Sequence, residues 1–247
     1  MLDELGRRCD IQVMRSFVPL CFGLTFTLVG GCTKNEGTTL EASAAAGPAA
    51  TEGPNLDALE RDLSAAQHVE IEFRITSSGA VETDLSGTLE WHAGADFHLD
   101  AKGSFAGAVQ DLELDGDAEQ LRVLAAGQEV AAGPRPAALV EAVVLGLTRQ
   151  GLLHNLAMLS AGQPPERADG GIGEWLGTRD PALGAVERVG EREGRPLAFG
   201  ILVGGEDVGG AVLWFDAAGA PFERHQTVHF EEGDMEVVER YSRWVVE

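Results

Sequence analysis

Residues 211–241 read AVLWFDAAGAPFERHQTVHFEEGDMEVVERY, and this stretch decides the fold class. Apolar and polar side chains alternate along 221–232 and again along 234–246, which is the period of a β-strand with one solvated face. The sequences DAAGAP at 216–221 and EGD at 232–234 have the composition of turns. Strands joined by such short turns pair antiparallel with their neighbours in sequence, so the stretch predicts a β-meander.

The same alternation recurs elsewhere in the chain. Along 69–76, for example, Val, Ile and Phe alternate with charged or polar residues. We therefore predict further strands at 69–76, 85–92, 97–102, 108–115, 119–126, 185–190, 195–204 and 209–216. Phe199–Val203 and Val212–Phe215 are apolar at nearly every position, so we expect both faces of the sheet to be covered there.

Helices are predicted in two places. Three leucines at intervals of three and four residues predict a helix over 56–67, with Asn55 as its N-cap. Residues 137–160 are rich in Ala, Leu and Val, which predicts two apolar helices broken near Gly151 and lying across the sheet. Residues 166–182 follow as a predicted loop.

The sequence LVGGC at 28–32 resembles a bacterial lipobox, in which one aliphatic and two small residues precede a cysteine that receives diacylglycerol. This resemblance implies that residues 1–31 are a signal peptide and that Cys32 becomes the lipidated N-terminus. The apolar run over 16–31 has the length of a signal core and is too short for a membrane-spanning helix. Met14 is a natural start for this leader. The alternative is a buried N-terminal helix, which the polar residues after the cysteine disfavour.

Residues 32–54 are small, polar and interrupted by Gly and Pro, so we expect a disordered tether that reaches about 25 Å. Residues 55–247 have the length of one domain. Cys9 and Cys21 lie in the leader, so we expect no disulfide in that domain. In lipoproteins of enteric type an aspartate after the lipidated cysteine retains the protein at the inner membrane, so Thr33 favours the outer membrane.

The charge of the chain is strongly negative. Lys and Arg number 18 against 40 Asp and Glu, which gives a formal net charge of −22 at pH 7. This excess argues against nucleic acid as a partner, because nucleic-acid binding needs a basic surface. A solvated acidic surface is the preferred interpretation, with an acidic binding site as the alternative.

Helix, meander, helical insert and second meander together resemble the layout of the LolA/LolB-like lipoprotein-carrier superfamily, and residues 211–241 resemble the end of such lipoproteins. The resemblance implies an α+β fold: a curved antiparallel β-sheet forming an unclosed half-barrel, with an N-terminal helix and a helical insert across the concave face. In that superfamily the concave face holds acyl chains or other hydrophobic ligands. The matching ligand face here would consist of Phe73, Leu89, Trp91, Phe97 and Leu99. The alternative for these five side chains is ordinary core packing.

The sequence contains no motif for a catalytic, cofactor or metal site. It lacks the GxSxG, HExxH, CxxC and P-loop patterns, so we expect no enzyme, no cofactor and no metal. His225 and His229 point the same way from one predicted strand, but about 13 Å separates them, which is too far for one ion.

Two charged stretches are interpreted as surface features and not as functional sites. Residues 111–122 resemble a calcium loop, but Arg122 stands where a bidentate glutamate is needed, so an acidic hairpin is preferred and weak calcium binding is the alternative. Glu239, Arg240 and Arg243 are expected to form surface ion pairs that contribute little to stability.

The sequence therefore predicts an outer-membrane-anchored periplasmic lipoprotein that binds a hydrophobic or acylated ligand and is not an enzyme. Its expected contacts are the membrane, through Cys32, and a lipid or acyl ligand. The alternative is a periplasmic interaction or envelope-scaffold lipoprotein with a filled core and no small ligand.

Overall fold

A computed structural model describes residues 53–153, 176–231 and 233–247. They belong to a compact unit, residues 53–247, which has its own hydrophobic core. The predicted signal peptide and nearly all of the tether lie outside the described residues. Within the described ranges, no helix combines the length and the apolar character needed to cross a membrane.

The helices form largely where the sequence places them. Helix α1 spans Leu56–Ala65, and the side chain of Asn55 accepts a hydrogen bond of 2.8 Å from the Ala58 N–H, which confirms the N-cap. Helix α2 spans Leu139–Leu145 and continues as a π-helical turn over Gly146–Gln150. The chain breaks at Gly151 and is helical again at 152–153, and the rest of the predicted insert lies outside the described residues.

Twelve strands are present in the described part of the chain. They are β1 (His68–Gly79), β2 (Thr83–His92), β3 (Phe97–Phe105), β4 (Ala108–Gly116), β5 (Gln120–Ala125), β6 (Gln128–Pro134), β7 (Leu176–Leu183), β8 (Glu187–Val189), β9 (Arg192–Val203), β10 (Glu206–Phe215), β11 (Pro221–Phe230) and β12 (Gly233–Val246). Adjacent strands pair antiparallel throughout.

Two meanders meet at the centre of one curved, unclosed sheet. The strand order is β6-β5-β4-β3-β2-β1-β12-β11-β10-β9-β7, and β8 pairs only with β9. Within the described residues, the first and last strands, β1 and β12, are therefore central neighbours, with β6 and β7 at the two edges. This arrangement confirms the predicted α+β half-barrel with an N-terminal helix and a helical insert.

Two edge strands were not predicted. Residues 176–182 lie within the expected loop but belong to β7, so that prediction is wrong for this part of it. The strand carries a register shift between Arg179 and Ala182, and Pro181 lies within that shift. Strand β6 consists mostly of small and polar residues and lacks the apolar alternation on which the prediction relied. Edge strands tolerate such sequences because one of their ladders is unpaired.

The core lies between the concave face of the sheet and the helices. The apolar positions of β1, β2 and β3 share one face, and α1 and α2 contribute leucines and valines from the other side. These side chains form one cluster. The fully buried members of the helices include Leu63, Leu139, Val143 and Leu147, each 0% exposed. The helices therefore act as a cover over the concave face.

Candidate functional site

The five residues of the predicted ligand face lie side by side on the concave face. Register places Leu89 opposite Leu99 and Trp91 opposite Phe97, while Phe73 lies on the neighbouring strand β1. All five belong to the core cluster, and their exposed fractions do not exceed 3%. The structure thus brings the predicted residues together beneath the helical cover. Ligand binding by this face stays a prediction.

The centre of the concave face carries polar residues that sequence reasoning missed. Arg224 on β11 and Glu239 on β12 stand directly opposite each other in the strand ladder. Arg224 is 0% exposed and Glu239 is 1% exposed, so the expected surface position of Glu239 is wrong. We call Arg224, Gln226, Glu239 and Tyr241 the polar clasp.

The arginine of the polar clasp binds backbone carbonyls of the π-helical turn that follows α2. Its Nη1 donates a 3.2 Å hydrogen bond to the Thr148 carbonyl, and its Nη2 donates to the Arg149 carbonyl. Its Nε donates a 3.0 Å hydrogen bond to Gln226 Oε1. A cation at a helix C-terminus satisfies carbonyls that have no partner within the helix. Burial lowers the pKa of Arg224, while the negative charge of Glu239 opposes that shift.

The glutamate of the polar clasp holds the chain where the helix resumes. Glu239 Oε1 accepts hydrogen bonds of 2.7 Å from the Leu152 N–H and 3.2 Å from the Leu153 N–H. Its Oε2 accepts a 2.6 Å hydrogen bond from the Tyr241 hydroxyl. Burial, followed by the adjacent Glu239 charge, raises the pKa of Tyr241 well above its usual value. The carboxylate thus satisfies buried amide groups at a helix start.

Gly151 lies between these two halves of the polar clasp. Its φ of +88° is a conformation that residues with a Cβ rarely adopt. A Cβ added here would lie 2.8 Å from Gln226 Oε1 and 3.0 Å from Glu239 Oε1. Glycine therefore permits both the break in the insert and its close approach to the polar clasp.

A second polar contact joins the two helical parts of the cover. Glu60 on α1 accepts hydrogen bonds of 2.6 Å and 2.7 Å from the Arg149 guanidinium. The Thr148 hydroxyl also donates to Glu60, at 3.0 Å. The hydrogen bond to Glu60 raises the pKa of Arg149. The contact ties α1 to the insert, so the cover is connected as one layer.

The polar clasp has a positioning role. The guanidinium donates to two backbone carbonyls and one amide oxygen, and the carboxylate accepts from two backbone N–H groups and one hydroxyl. These groups serve the ends of the protein's own helices. The arrangement thus fixes where the cover sits on the sheet.

The outward face of the sheet carries ion pairs in which an exposed arginine meets a more buried glutamate. Arg240 Nε lies 3.2 Å from Glu223 Oε2, and Arg243 Nη2 lies 2.6 Å from Glu70 Oε2. These contacts confirm the ion pairs expected for the two arginines. The Arg240–Glu223 pair borders a cleft of about 670 Å³ that is lined from β1, β2, β3, β9, β11 and β12.

His225 and His229 each pair with a different carboxylate. His225 Nε2 lies 2.6 Å from Glu223 Oε1, and His229 Nδ1 lies 2.9 Å from Asp234 Oδ1. The hydrogen bond and charge of Asp234 raise the pKa of His229. Separate partners agree with the interpretation of a solvated strand face.

The acidic stretch 111–122 forms the hairpin between β4 and β5, as preferred from the sequence. The Asp117 carboxylate accepts hydrogen bonds of 2.7 Å and 2.8 Å from the N–H groups of Glu119 and Gln120. These two bonds lower the pKa of Asp117. Its side chain is thus engaged in closing the turn. The predicted lipidation site, Cys32, lies outside the described residues.

Neither a protein-family model nor a curated protein matches this chain. Among solved structures, it is similar to a β-barrel-like protein of a domain of unknown function from Brucella abortus. The identity is 10% and the TM-score 0.29, with 74% of this chain and 98% of that chain covered. It is also similar to a LolA superfamily protein from Nitrosomonas europaea, with 9% identity, a TM-score of 0.29 and coverage of 78% and 93%.

A third similar structure is MucB in complex with MucA(peri), at 17% identity and a TM-score of 0.29. The match covers 78% of this chain and 56% of that chain, so this chain spans little more than half of MucB. The layout of the sequence resembles that of the LolA superfamily, as described above. Likenesses at a TM-score of 0.29 show nothing about the function of this chain.

Proposed function

We propose that this chain is a non-enzymatic binding protein of the bacterial envelope, which takes up an apolar or acylated ligand between the concave face and the helical cover. The observation that carries this proposal is the way the cover is attached. Apolar side chains of the helices and the sheet form one core cluster. The directional contacts from the insert to the sheet come from the polar clasp around Gly151 and from Arg149, whose Nη1 donates to the Leu176 carbonyl on β7. A cover attached in this way can separate from the apolar face without breaking the sheet.

The size of the ligand follows from the apolar contacts that it replaces. Separating the cover exposes several leucines and valines, at about 1.5–3 kcal/mol each. Burial of an acyl chain contributes about 0.8 kcal/mol of favourable free energy per methylene. Some ten or more methylenes are therefore needed to offset the loss of about five such side chains. This favours long acyl chains over small apolar molecules.

The same proposal includes a lipid anchor at Cys32 and a position at the outer membrane facing the periplasm. Its support is the LVGGC sequence at 28–32 after an apolar run, followed by Thr33. Two or three acyl chains on one cysteine give stable membrane attachment. Labelling bacteria with an alkyne-bearing palmitate analogue should tag the wild-type protein and leave a Cys32→Ala variant untagged. Tagging of the variant would refute the anchor.

A second candidate function is supported by the packing of the ligand face. Phe73, Leu89, Trp91, Phe97 and Leu99 are at most 3% exposed, so the described part of the core leaves them almost no free surface. A domain with a filled core would act through its acidic outer surface, as an interaction or scaffold module. The two candidates differ in whether the cover ever separates from the sheet.

The test uses residues 53–247, which form a compact unit with their own core. The purified domain is extracted with organic solvent for mass spectrometry, and the delipidated domain is titrated with the fluorescent probe N-phenyl-1-naphthylamine. We expect a stoichiometric acyl lipid in the extract, and probe uptake that rises in Glu239→Gln because the polar clasp is weakened. Glu236→Gln, an exposed change on the same strand, should match the wild type.

An empty extract, together with no probe uptake by either the wild type or Glu239→Gln, would refute ligand binding if both proteins remain folded. That result would favour the interaction module. Crosslinking of the full-length protein in cells would then be the route to its partner.

A further inference from the structure

The β1–β2 ladder assembles a histidine and carboxylate cluster on the outward face of the sheet. His68 begins β1 and His92 ends β2, and the two residues are directly opposite in the register. Glu90 precedes His92 by two residues on the same strand, so its side chain points to the same face. Three of the six histidines in the chain, His68, His92 and His98, lie on this face of β1–β3.

The side chains of His68, Glu90 and His92 converge on one point. One ligand atom from each can be chosen so that all three lie within 4.8 Å of one another. His68 Nε2 lies 3.3 Å from Glu90 Oε1, and the two imidazole rings stack with centroids 4.6 Å apart. His68 Nε2 is buried from solvent and has no hydrogen-bond partner among the described residues. His68 Nε2 thus lies at the cluster without a hydrogen bond, beside the Glu90 carboxylate.

The distances suit a small ion after modest side-chain rotation. Zinc binds imidazole nitrogen at about 2.0–2.1 Å, so the ligand atoms around a tetrahedral ion lie about 3.4 Å apart. Glu90 and His92 are 44% and 45% exposed at their side chains, which leaves them room to close on an ion. The strands need not move, because register already brings the three residues together.

A carboxylate lies near the Nδ1 atom of each ring. His68 Nδ1 lies 3.7 Å from Glu247 Oε2, and His92 Nδ1 lies 3.9 Å from Asp96 Oδ2. Carboxylates beside the Nδ1 atoms favour the tautomer that leaves Nε2 free to bind a metal. The Glu247 backbone also exchanges hydrogen bonds of 2.9 Å and 3.0 Å with His68, which fixes the start of β1.

The neighbouring surface attracts cations. Glu90 and His92 also line an outward cleft of about 610 Å³, together with Asp96, Asp115 and Asp117, whose charges outnumber that of Arg122 in the same lining. A concave acidic surface raises the local concentration of cations. Ligand atoms beyond the first three can come from water or from Asp96 at the edge of the cluster.

We propose that His68, Glu90 and His92 form a binding site for Zn²⁺ or a similar divalent transition-metal ion, with at least one exchangeable coordination position beside the acidic cleft. Two imidazoles and one carboxylate are the ligands of such ions, whereas Ca²⁺ and Mg²⁺ prefer oxygen ligands alone. The site lies on the opposite face of the sheet from the helical cover. It does not depend on the ligand-binding function proposed above.

The test is a calorimetric titration of chelator-treated residues 53–247 with ZnCl₂, in a background of excess CaCl₂. We expect one Zn²⁺ per chain, and about tenfold or greater loss of affinity in each of His68→Gln, Glu90→Gln and His92→Gln. His229→Gln is the control, because this histidine also has a carboxylate partner but lies on another part of the same face. It should bind Zn²⁺ as the wild type does.

A second measurement does not depend on variants that fold. In a histidine NMR spectrum of the wild-type domain, Zn²⁺ should shift the ring signals of His68 and His92 and leave those of His225 and His229 in place. Shifts spread equally over all four, equal affinity in His92→Gln, or full competition by Ca²⁺ would overturn the proposal. Each of these results would mean that Zn²⁺ associates with the acidic surface in general.

Discussion

The two halves of the concave face bury different chemistry under the same cover. On β1–β3 the inward side chains are apolar, with Leu89, Phe97 and Leu99 all 0% exposed. On β11 and β12 the inward positions include Arg224 and Glu239, which are buried just as deeply. Apolar burial is non-directional, whereas hydrogen bonds require defined positions. The apolar half therefore attaches the cover to the sheet, and the polar half determines where the cover sits.

The polar half follows from the break in the helical insert. Where a helix stops and restarts, carbonyl and N–H groups lose their partners within the helix. The carbonyls of Thr148 and Arg149 and the N–H groups of Leu152 and Leu153 are such groups. Buried groups of this kind need partners, and the charged pair on β11 and β12 supplies them.

Among the substitutions in the polar half, Glu239→Ala should have the largest effect on stability. It leaves the N–H groups of Leu152 and Leu153 and the Tyr241 hydroxyl without their acceptor, and Arg224 without the adjacent negative charge. We expect the free energy of unfolding to fall by about 3–5 kcal/mol, measured by urea denaturation.

The control for Glu239→Ala is Glu236→Ala on the same strand. Glu236 is exposed and accepts from the Thr227 hydroxyl, so its loss should change stability by no more than about 1 kcal/mol. Equal losses in the two variants would mean that the buried contacts of Glu239 do not stabilise the cover.

Leu89→Ala tests the contribution of the apolar half to stability. It deletes a fully buried side chain on β2, and we expect a loss of about 3 kcal/mol from lost burial and the resulting cavity. Hydrogen exchange separates the two halves further. Exchange over 139–153 should rise selectively in Glu239→Ala, whereas Leu89→Ala should raise exchange in the central strands as well. Indistinguishable exchange patterns would contradict the division of roles.

The apolar half could be predicted from the sequence, whereas the polar half could not. Alternation along β1–β3 places large apolar residues on one face, and this alone predicts the core. Arg224 and Glu239 also occupy the inward positions of their strands, which is a visible signal. However, the sequence does not reveal the backbone groups that they bind, because those groups lie about 75 to 87 residues away in the chain.

The other features of the structure that the sequence did not predict have similar physical causes. Strands β6 and β7 lie at the two edges, where pairing needs no apolar alternation, so their sequences do not resemble those of central strands. His68 and His92 are brought together only by the register of β1 and β2. Register depends on the turn and on the packing of the other face, so a metal-site search by sequence spacing does not find the pair.

Gly151→Ala sharpens the comparison by adding one methyl group to the polar half. The variant combines an unfavourable positive φ with contacts of 2.8 Å and 3.0 Å to Gln226 and Glu239, so we expect a loss of about 2–3 kcal/mol. Gly219→Ala is the matched control, because its φ is +86° and no heavy atom lies within 4 Å of the added Cβ. The control should lose about 1 kcal/mol, by thermal or urea denaturation. Equal losses would mean that crowding at the polar clasp contributes nothing.

The smallest expected effect belongs to His229, a charged contact outside the cover. The hydrogen bond to Asp234 raises the folded-state pKa of His229, so the protonated ring is favoured by folding. The resulting stabilisation is fully present below the unfolded pKa of about 6.5 and is lost as the pH rises through the higher folded value. An NMR titration should place the His229 midpoint above that of the Asp234→Asn variant. Because this pair is exposed, its loss should leave exchange over 139–153 unchanged. A rise there would mean that outward charges also hold the cover, and that the polar clasp is not its main directional attachment to the sheet.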